Sequence, residues 1–234
     1  MIARALDVTT SLLVTVGRLG AGHDVVPLGP RPEKPLVLYE FEGCPYCRKV
    51  REALTALDLE VDVRPCPKGG HRFRDEVIRR GGKAQFPYLV DENAGVELYE
   101  SDDIVHHLFA SYGAGPVPWL LRTGPLGDLN SSLSGLWRAG RGTRVRPSHA
   151  PAVPLVLYSM ESSPFCRIVR ERLCELELPY HLYNVGGGSP SREGFVAHSG
   201  KMMVPWLSDP NTGREMFESA DIGRYLEETY GIRE

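Results

Sequence analysis

PLVLYEFEGCPYCRKVREALTALDL, residues 35–59, returns as PLVLYSMESSPFCRIVRERLCELEL at residues 154–178. The offset, 154 − 35 = 119, also carries Cys47 onto Cys166, Arg51 onto Arg170 and Leu54 onto Leu173. Further on, FPYL at Phe86 matches VPWL at Val204, and YESDDI at Tyr99 matches FESADI at Phe217, now at an offset of 118. Tyr112-Gly113 and Tyr230-Gly231 keep that offset, so one residue separates the two copies in length. A period this long marks duplicated domains, since solenoid repeats run about 20–50 residues.

Within the first copy, Leu36–Tyr39 is an apolar, β-favouring run and predicts a buried strand. Gly43 turns the chain, and Pro45 suits the first position of a helix, which puts Cys44 at the N-cap. Cys47, Val50, Leu54 and Leu57 recur every three or four residues and form one apolar stripe. A strand over Glu60–Arg64 and a helix over Arg74–Arg80, stopped by Gly81-Gly82, come next. Pro87 then introduces Tyr88–Val90, Asp91–Gly95 makes a hairpin turn, and Val96–Tyr99 pairs back. Ser101 is expected to cap a last helix through Ile104, Leu108 and Phe109. The order β-α-β-α-β-β-α repeats from Leu155 to Tyr230.

The expected organisation is a helical lead-in over residues 1–34, a domain over 35–113, a linker with a repeated helical lead-in over 114–153, and a second domain over 154–234. The lead-in repeat rests on Asp7, Ser11, Leu12, Arg18 and Gly20 matching Asp128, Ser132, Leu133, Arg138 and Gly140; two unrelated Ser/Leu-rich segments are the alternative. A net charge of −3 argues against a whole-chain nucleic-acid binder. No run approaches the roughly 18 apolar residues of a membrane span, and the first twenty residues do not read as an export signal. A cytoplasmic, reducing location is expected, where a C-x-x-C pair does redox or metal chemistry rather than structural cross-linking.

A helix N-terminus offers unpaired N–H groups and a partial positive charge, which favour the thiolate of a cysteine placed there. Cys44 holds that place, and Cys47 lies one turn on, buried and close enough to resolve a mixed disulfide. In the second copy the attacking position is Ser163 and the retained thiol is the buried Cys166. That copy cannot run dithiol exchange in the same way. Ser163 either donates a hydrogen bond to a bound thiolate or is simply a helix cap above a core cysteine.

With C-P-Y-C-R-K-V-R, S-P-F-C-R-I-V-R, Phe86-Pro87, Val204-Pro205, Glu100-Ser101 and Glu218-Ser219 in view, each copy resembles a glutaredoxin, and still more the N-terminal thioredoxin-fold domain of glutathione transferases. The resemblance covers about 80 residues of each copy and implies an α/β fold of two tandem thioredoxin-like domains. It implies glutathione binding, with Phe86 and Val204, each before a cis proline (Pro87, Pro205), pairing with the cysteinyl backbone. Glu100-Ser101 and Glu218-Ser219 would hold the γ-glutamyl end, Lys83 and Lys201 would meet the glycine carboxylate, and Tyr46 would line the same site. For Lys83 and Lys201 a solvated charge is the alternative.

The chain departs from the family in three ways. Glu42-Gly43 and Glu161-Ser162 stand where glutaredoxins carry a basic residue, and a carboxylate there is expected to disfavour the Cys44 thiolate. No all-helical transferase C-terminal domain is expected after either copy, so a conjugating pocket would have to lie between the copies, where the Asp128–Arg146 segment could close it. The segments at Asp7 and Asp128 match neither parent pattern.

Elsewhere, Cys66 in Arg64-Pro65-Cys66-Pro67 reads as a small buried hydrophobe or a third redox thiol, and Val185 replaces it in the second copy. Cys174 lies one residue off its helix's apolar stripe and is expected to be partly exposed. His106-His107 has no matching Cys or carboxylate spacing, and no metal site is expected. The basic runs Lys68–Lys83 and Arg138–Arg146 read as solvated loops, with binding of anionic peptides or a nucleic-acid backbone as the alternative.

The leading expectation is a glutathione-dependent thiol–disulfide oxidoreductase with Cys44 as nucleophile. The alternatives are transferase-like conjugation through Ser163 or Cys44, and a non-catalytic glutathione sensor or holder of an iron–sulfur cluster through Cys44 and glutathione. Disulfide-bearing or glutathionylated proteins would be partners, and the chain would be a monomer with an internal pseudo-dimer or a weak homodimer.

Overall fold

The computed structural model describes residues 22–122 and 140–232. The helices expected near Asp7 and Asp128 lie outside them. In the first copy the order is β1 (Leu36–Glu40), α1 (Pro45–Ala56), β2 (Val61–Pro65), α2 (Arg74–Gly81), β3 (Tyr88–Asp91), β4 (Val96–Leu98) and α3 (Ser101–Tyr112), with a short α4 (Trp119–Arg122) beyond it. The second copy gives β5 (Leu155–Ser159), α5 (Pro164–Glu175), β6 (Tyr180–Asn184), α6 (Ser191–Ser199), β7 (Trp206–Asp209), β8 (Arg214–Phe217) and α7 (Ser219–Tyr230). This is the α/β order read from the repeat, with two thioredoxin-like units in tandem.

The units share one eight-stranded sheet in the order β4-β3-β1-β2-β6-β5-β7-β8. β1 runs parallel to β2 and antiparallel to β3, and β5 does the same with β6 and β7. The copies join where β2 pairs antiparallel with β6, with Asp62 opposite His181 and Val61 and Val63 opposite Leu182 and Tyr180. Asp62 and His181 are 119 positions apart, so a local two-fold axis passes through the junction. His181 Nδ1 lies 2.7 Å from Asp62 Oδ1 and its Nε2 lies 3.4 Å from Glu60. Joining edge to edge removes two exposed strand edges that would otherwise invite aggregation.

Strand alternation sets the layers. Leu36 and Leu38 face α1 and join Val50, Leu54, Ile104 and Leu108 in a core that continues into Leu155, Leu157, Val169 and Leu173. Tyr39 faces the other way, into a smaller cluster with Val77, Tyr88 and Cys66 under α2. The last helix of each copy is anchored by a buried carboxylate. Asp91 accepts from Tyr112 Oη at 2.7 Å and pairs with His107 at 2.8 Å, while Asp209 accepts from Tyr225 and Tyr230, both at 2.6 Å. His107 therefore does have a carboxylate partner, brought from β3 rather than from its own helix.

Two straps lock the copies reciprocally. Residues 22–34 begin on the second copy, where Val25 N–H donates to Gly187 O at 2.8 Å, and end on the first, where Gly29 N–H donates to Tyr112 O at 2.9 Å. Residues 140–153 begin on the first copy, through Lys68 N–H to Thr143 O at 2.6 Å and Gly43 N–H to Gly142 O at 3.1 Å, and end on the second, through His149 N–H to Tyr230 O at 2.8 Å. Both basic runs are thus partly engaged rather than free in solvent. Arg72, for example, donates to Leu176 O and Glu177 O, which caps the C-terminal end of α5 from the other copy.

Candidate functional site

Cys44 is the N-cap of α1, in extended backbone, and its sulfur accepts the Cys47 N–H at 3.4 Å. Pro45 follows at the first helical position, as the sequence predicts. The Cys44 thiol is held below its ordinary range, first by its interaction with the Cys47 thiol and then by the N–H groups of Cys47 and Tyr46, against the opposing effect of burial. Burial drives Cys47, fully enclosed, well above that range. The two thiols are therefore split into one that ionises readily and one that does not.

Cys44 Sγ lies 4.0 Å from Phe86 O, and both Phe86-Pro87 and Val204-Pro205 are cis. Beside them, Glu100 and Glu218 adopt positive φ (61° and 68°), a conformation that non-glycine residues hold only where the surroundings impose it. This turn corrects the expected cap. Glu100 is the N-cap of α3, and Ser101, buried, is already its first helical residue. Gln85 Nε2 donates to Glu100 Oε1, a contact that no spacing in the sequence announces.

Lys83 places its ammonium 4.6 Å from the Tyr99 ring centre, and Lys201 does the same over Phe217 at 4.4 Å. Both lysines thus stand next to the Glu-Ser pairs. Tyr46 is 45% exposed at the rim of the turn. In the second copy Ser163 caps α5 as Cys44 caps α1, with its hydroxyl accepting the Cys166 N–H at 3.3 Å. A cavity of about 250 Å³ opens there, lined by Phe165, Met203, Val204, Pro205, Glu218 and Ser219. All of these belong to the second copy. A cavity of about 270 Å³ between the copies lies at the C-terminal end of α1, by Arg31, Asp58 and Ser191, away from both active-site turns. The strap at Gly142–Thr143 packs over Gly43.

The two glutamates before the turns behave unlike their sequence reading. Glu42 accepts from Arg170 Nε at 3.0 Å and pairs with Arg51 at 3.2 Å, while Glu161 accepts from Arg51 Nε at 3.0 Å and pairs with Arg170 at 2.7 Å. Although burial acts to raise it, the Arg170 and Arg51 guanidiniums hold the Glu161 carboxyl down to about 2. Each copy's turn is thus braced by the other copy's helix, and the arginines absorb the charge expected to oppose the Cys44 thiolate. Arg48, Arg167, Glu52 and Glu171 extend this buried cluster.

Sequence reasoning also missed Glu40, buried at the end of β1 and bonded by Arg51 Nη1. The available signal was a carboxylate closing an apolar strand in one copy and Ser159 in the other. Cys174 is 1% exposed, correcting the expected partial exposure. The reason is the strap, since its sulfur donates to Gly142 O at 3.3 Å and accepts the Glu42 N–H at 3.4 Å. Cys66 is buried as well, and its thiol is pushed up by that burial. Among the described residues no group of three or more His, Cys, Asp or Glu side chains could hold a metal ion, and no helix is long and apolar enough to cross a membrane.

Residues 38–116 and residues 157–234 each match the family described as glutathione S-transferase, N-terminal domain. Among solved structures the chain is similar to the Bombyx mori glutathione transferase BmGSTD1, at 25% identity and a TM-score of 0.33, over 37% of this chain and 39% of that one. The chain thus spans about two fifths of the length of that structure. No curated protein matches. With two matched segments that coincide with the two structural units, the chain belongs to the glutathione S-transferase N-terminal domain family and carries that domain twice in tandem.

Proposed function

We propose that the protein is a glutathione-dependent thiol–disulfide oxidoreductase that works through Cys44. The observation that carries the reading is the divided thiol pair, with Cys44 at the helix N-cap favouring its thiolate and Cys47 buried one turn behind. Membership in the family supports a glutathione-related function. In this reading the Cys44 thiolate attacks the glutathionyl sulfur of a mixed disulfide, and the substrate leaves as a thiolate. Either a second glutathione or Cys47 then attacks the Cys44–glutathione disulfide and frees the enzyme or closes the pair. Phe86, the Glu100-Ser101 pair and Lys83 would hold glutathione at Cys44.

The test is glutathione-coupled disulfide reduction by the full chain against Cys44→Ser. Wild-type activity no higher than that variant's would end the proposal.

A second reading is favoured by the cavity at Ser163. There the second copy would bind glutathione with Ser163 donating to its thiolate, as in conjugation to an electrophile. The Gly142 strap over Gly43 and the lining of that cavity by the second copy alone weigh against a large electrophile pocket shared between the copies. Glutathione titration of Cys44→Ser with and without Val204→Trp separates binding at the second copy from binding at the first.

A further inference from the structure

The buried charges at the junction obey the internal repeat, with one exception. Arg48, Arg51, Glu42 and Glu52 correspond at an offset of 119 to Arg167, Arg170, Glu161 and Glu171, and all eight are buried. Arginines and glutamates balance within that set. Glu40 is a fifth carboxylate, 1% exposed, and its counterpart is Ser159. Arg170 is satisfied by Ser159 Oγ at 3.0 Å together with Glu42 and Glu161, so this frame does not need a carboxylate at the end of the strand to hold its arginine. The copy that keeps the extra carboxylate is also the one that keeps both thiols.

Alternation along β1 puts Glu40 on the same side as Leu36 and Leu38, beneath α1. Arg51, which bonds it, lies four residues after Cys47 and so on the same helical face. Cys47 has no access to solvent, yet it must lose its proton to attack a disulfide at Cys44. Glu161, held at about 2 by its arginines, takes up no proton near neutrality.

We propose that Glu40 is the proton acceptor for the Cys47 thiol during resolution of the Cys44 mixed disulfide. This rests on the redox reading of Cys44. As Cys47 sulfur attacks Cys44 sulfur, the new Cys44–Cys47 bond forms and the Cys44–glutathione bond breaks. The Cys47 proton passes to the Glu40 carboxylate, and glutathione leaves as a thiolate with the electron pair. The Cys47 sulfur is oxidised from thiol to disulfide, and the glutathionyl sulfur is reduced to the thiolate. Glutathione later restores the pair by the reverse exchange.

Burial first, and Glu42 and Glu161 after it, raise Glu40 against the pull of Arg51 and Arg170, to about 7. Cys47 and Arg51 face it from α1, and Cys44 and Glu42 from the turn before that helix. Arg170, Glu161 and Cys174 face it from the second copy, as does Tyr180 of β6, whose buried hydroxyl has no hydrogen-bond partner among the described residues; Cys66 follows β2.

The test uses the full chain. It is first incubated with glutathione disulfide, and the Cys44 adduct is followed by mass spectrometry. The adduct or its product, the Cys44–Cys47 disulfide, is expected, and the absence of both would overturn the redox reading and this proposal together. The release of glutathione as Cys47 closes onto Cys44 is then timed across pH. The wild-type rate should rise with pH and level off near 7, where Glu40 titrates. Glu40→Gln should still form the adduct but resolve it about 100-fold more slowly at neutral pH, without that inflection. Glu40→Asp should keep the inflection at a reduced rate. If Glu40→Gln fails to fold, the wild-type profile and Glu40→Asp decide. A wild-type rate with no inflection, equal rates in Glu40→Gln and wild type, or loss of the inflection in Glu40→Asp would overturn the role of Glu40 while leaving Cys44 as nucleophile.

Discussion

Replacing Glu161 with glutamine would remove one charge from the brace between the copies while keeping shape and an acceptor oxygen. Glu161 is 2% exposed and takes Arg51 Nε at 3.0 Å and Arg170 Nη2 at 2.7 Å. Breaking a buried ion pair from one side typically costs about 3–5 kcal/mol, because the partner charge stays buried without compensation. The carboxyl's own depression, from 4.5 to about 2, gives an independent figure of about 3 kcal/mol. The two figures agree on about 3 kcal/mol, which for a chain of this size lowers the melting temperature by about 10 °C. Because the folded-state value lies below the unfolded one, this stabilisation is complete above about pH 4.5 and is lost as pH falls toward 2. Thermal unfolding of wild type and Glu161→Gln at neutral pH, repeated down the acid limb, measures both effects. The exposed pair Asp221–Arg224 is the control, where Asp221→Asn should change stability by about 0.5 kcal/mol or less. A loss for Glu161→Gln no larger than for that control would refute the claim that the cross-copy arginine–glutamate frame holds the two domains together.

His181 supplies a test on the alkaline side. Burial opposes its charge, but Asp62 and Glu60 raise it from 6.5 to about 9, so its contribution is full below pH 6.5 and is lost as pH rises through 9. Urea unfolding should show this alkaline loss, at most about 3 kcal/mol, and His181→Gln should flatten it. A Cβ at Gly43 would come 2.1 Å from Thr143 Oγ1, so Gly43→Ala should loosen the strap and lower both melting temperature and Cys44 reactivity. Thr143→Ala in the same chain should restore much of the loss, which alkylation kinetics would report. Glu100→Gly would relieve a positive φ and should raise stability by about 1 kcal/mol while weakening glutathione binding, read by calorimetric titration.

Much of this protein is local and therefore legible in its residues. The strand–turn–helix around Cys44 and the N-cap placement of Cys44 and Ser163 depend on neighbours within a few positions. Short-range sterics, helix polarity and hydrophobic periodicity suffice to fix them.

How two such units meet is set by long-range packing. Nothing in the local pattern marks Arg48, Arg51 and Glu52 as buried, and Glu42 looks hostile to a thiolate. The pairs that join the copies, Arg51 with Glu161 and Arg170 with Glu42, span more than 100 residues, and nothing in local pattern says that β2 will pair with β6 about a two-fold axis. Once that pairing forms, burial removes water from these charges, so each must find an opposite charge across the junction. Glu40, the one carboxylate left over, follows from the same packing. In the sequence it closes an apolar strand; in the fold it sits beneath the helix that carries the two thiols.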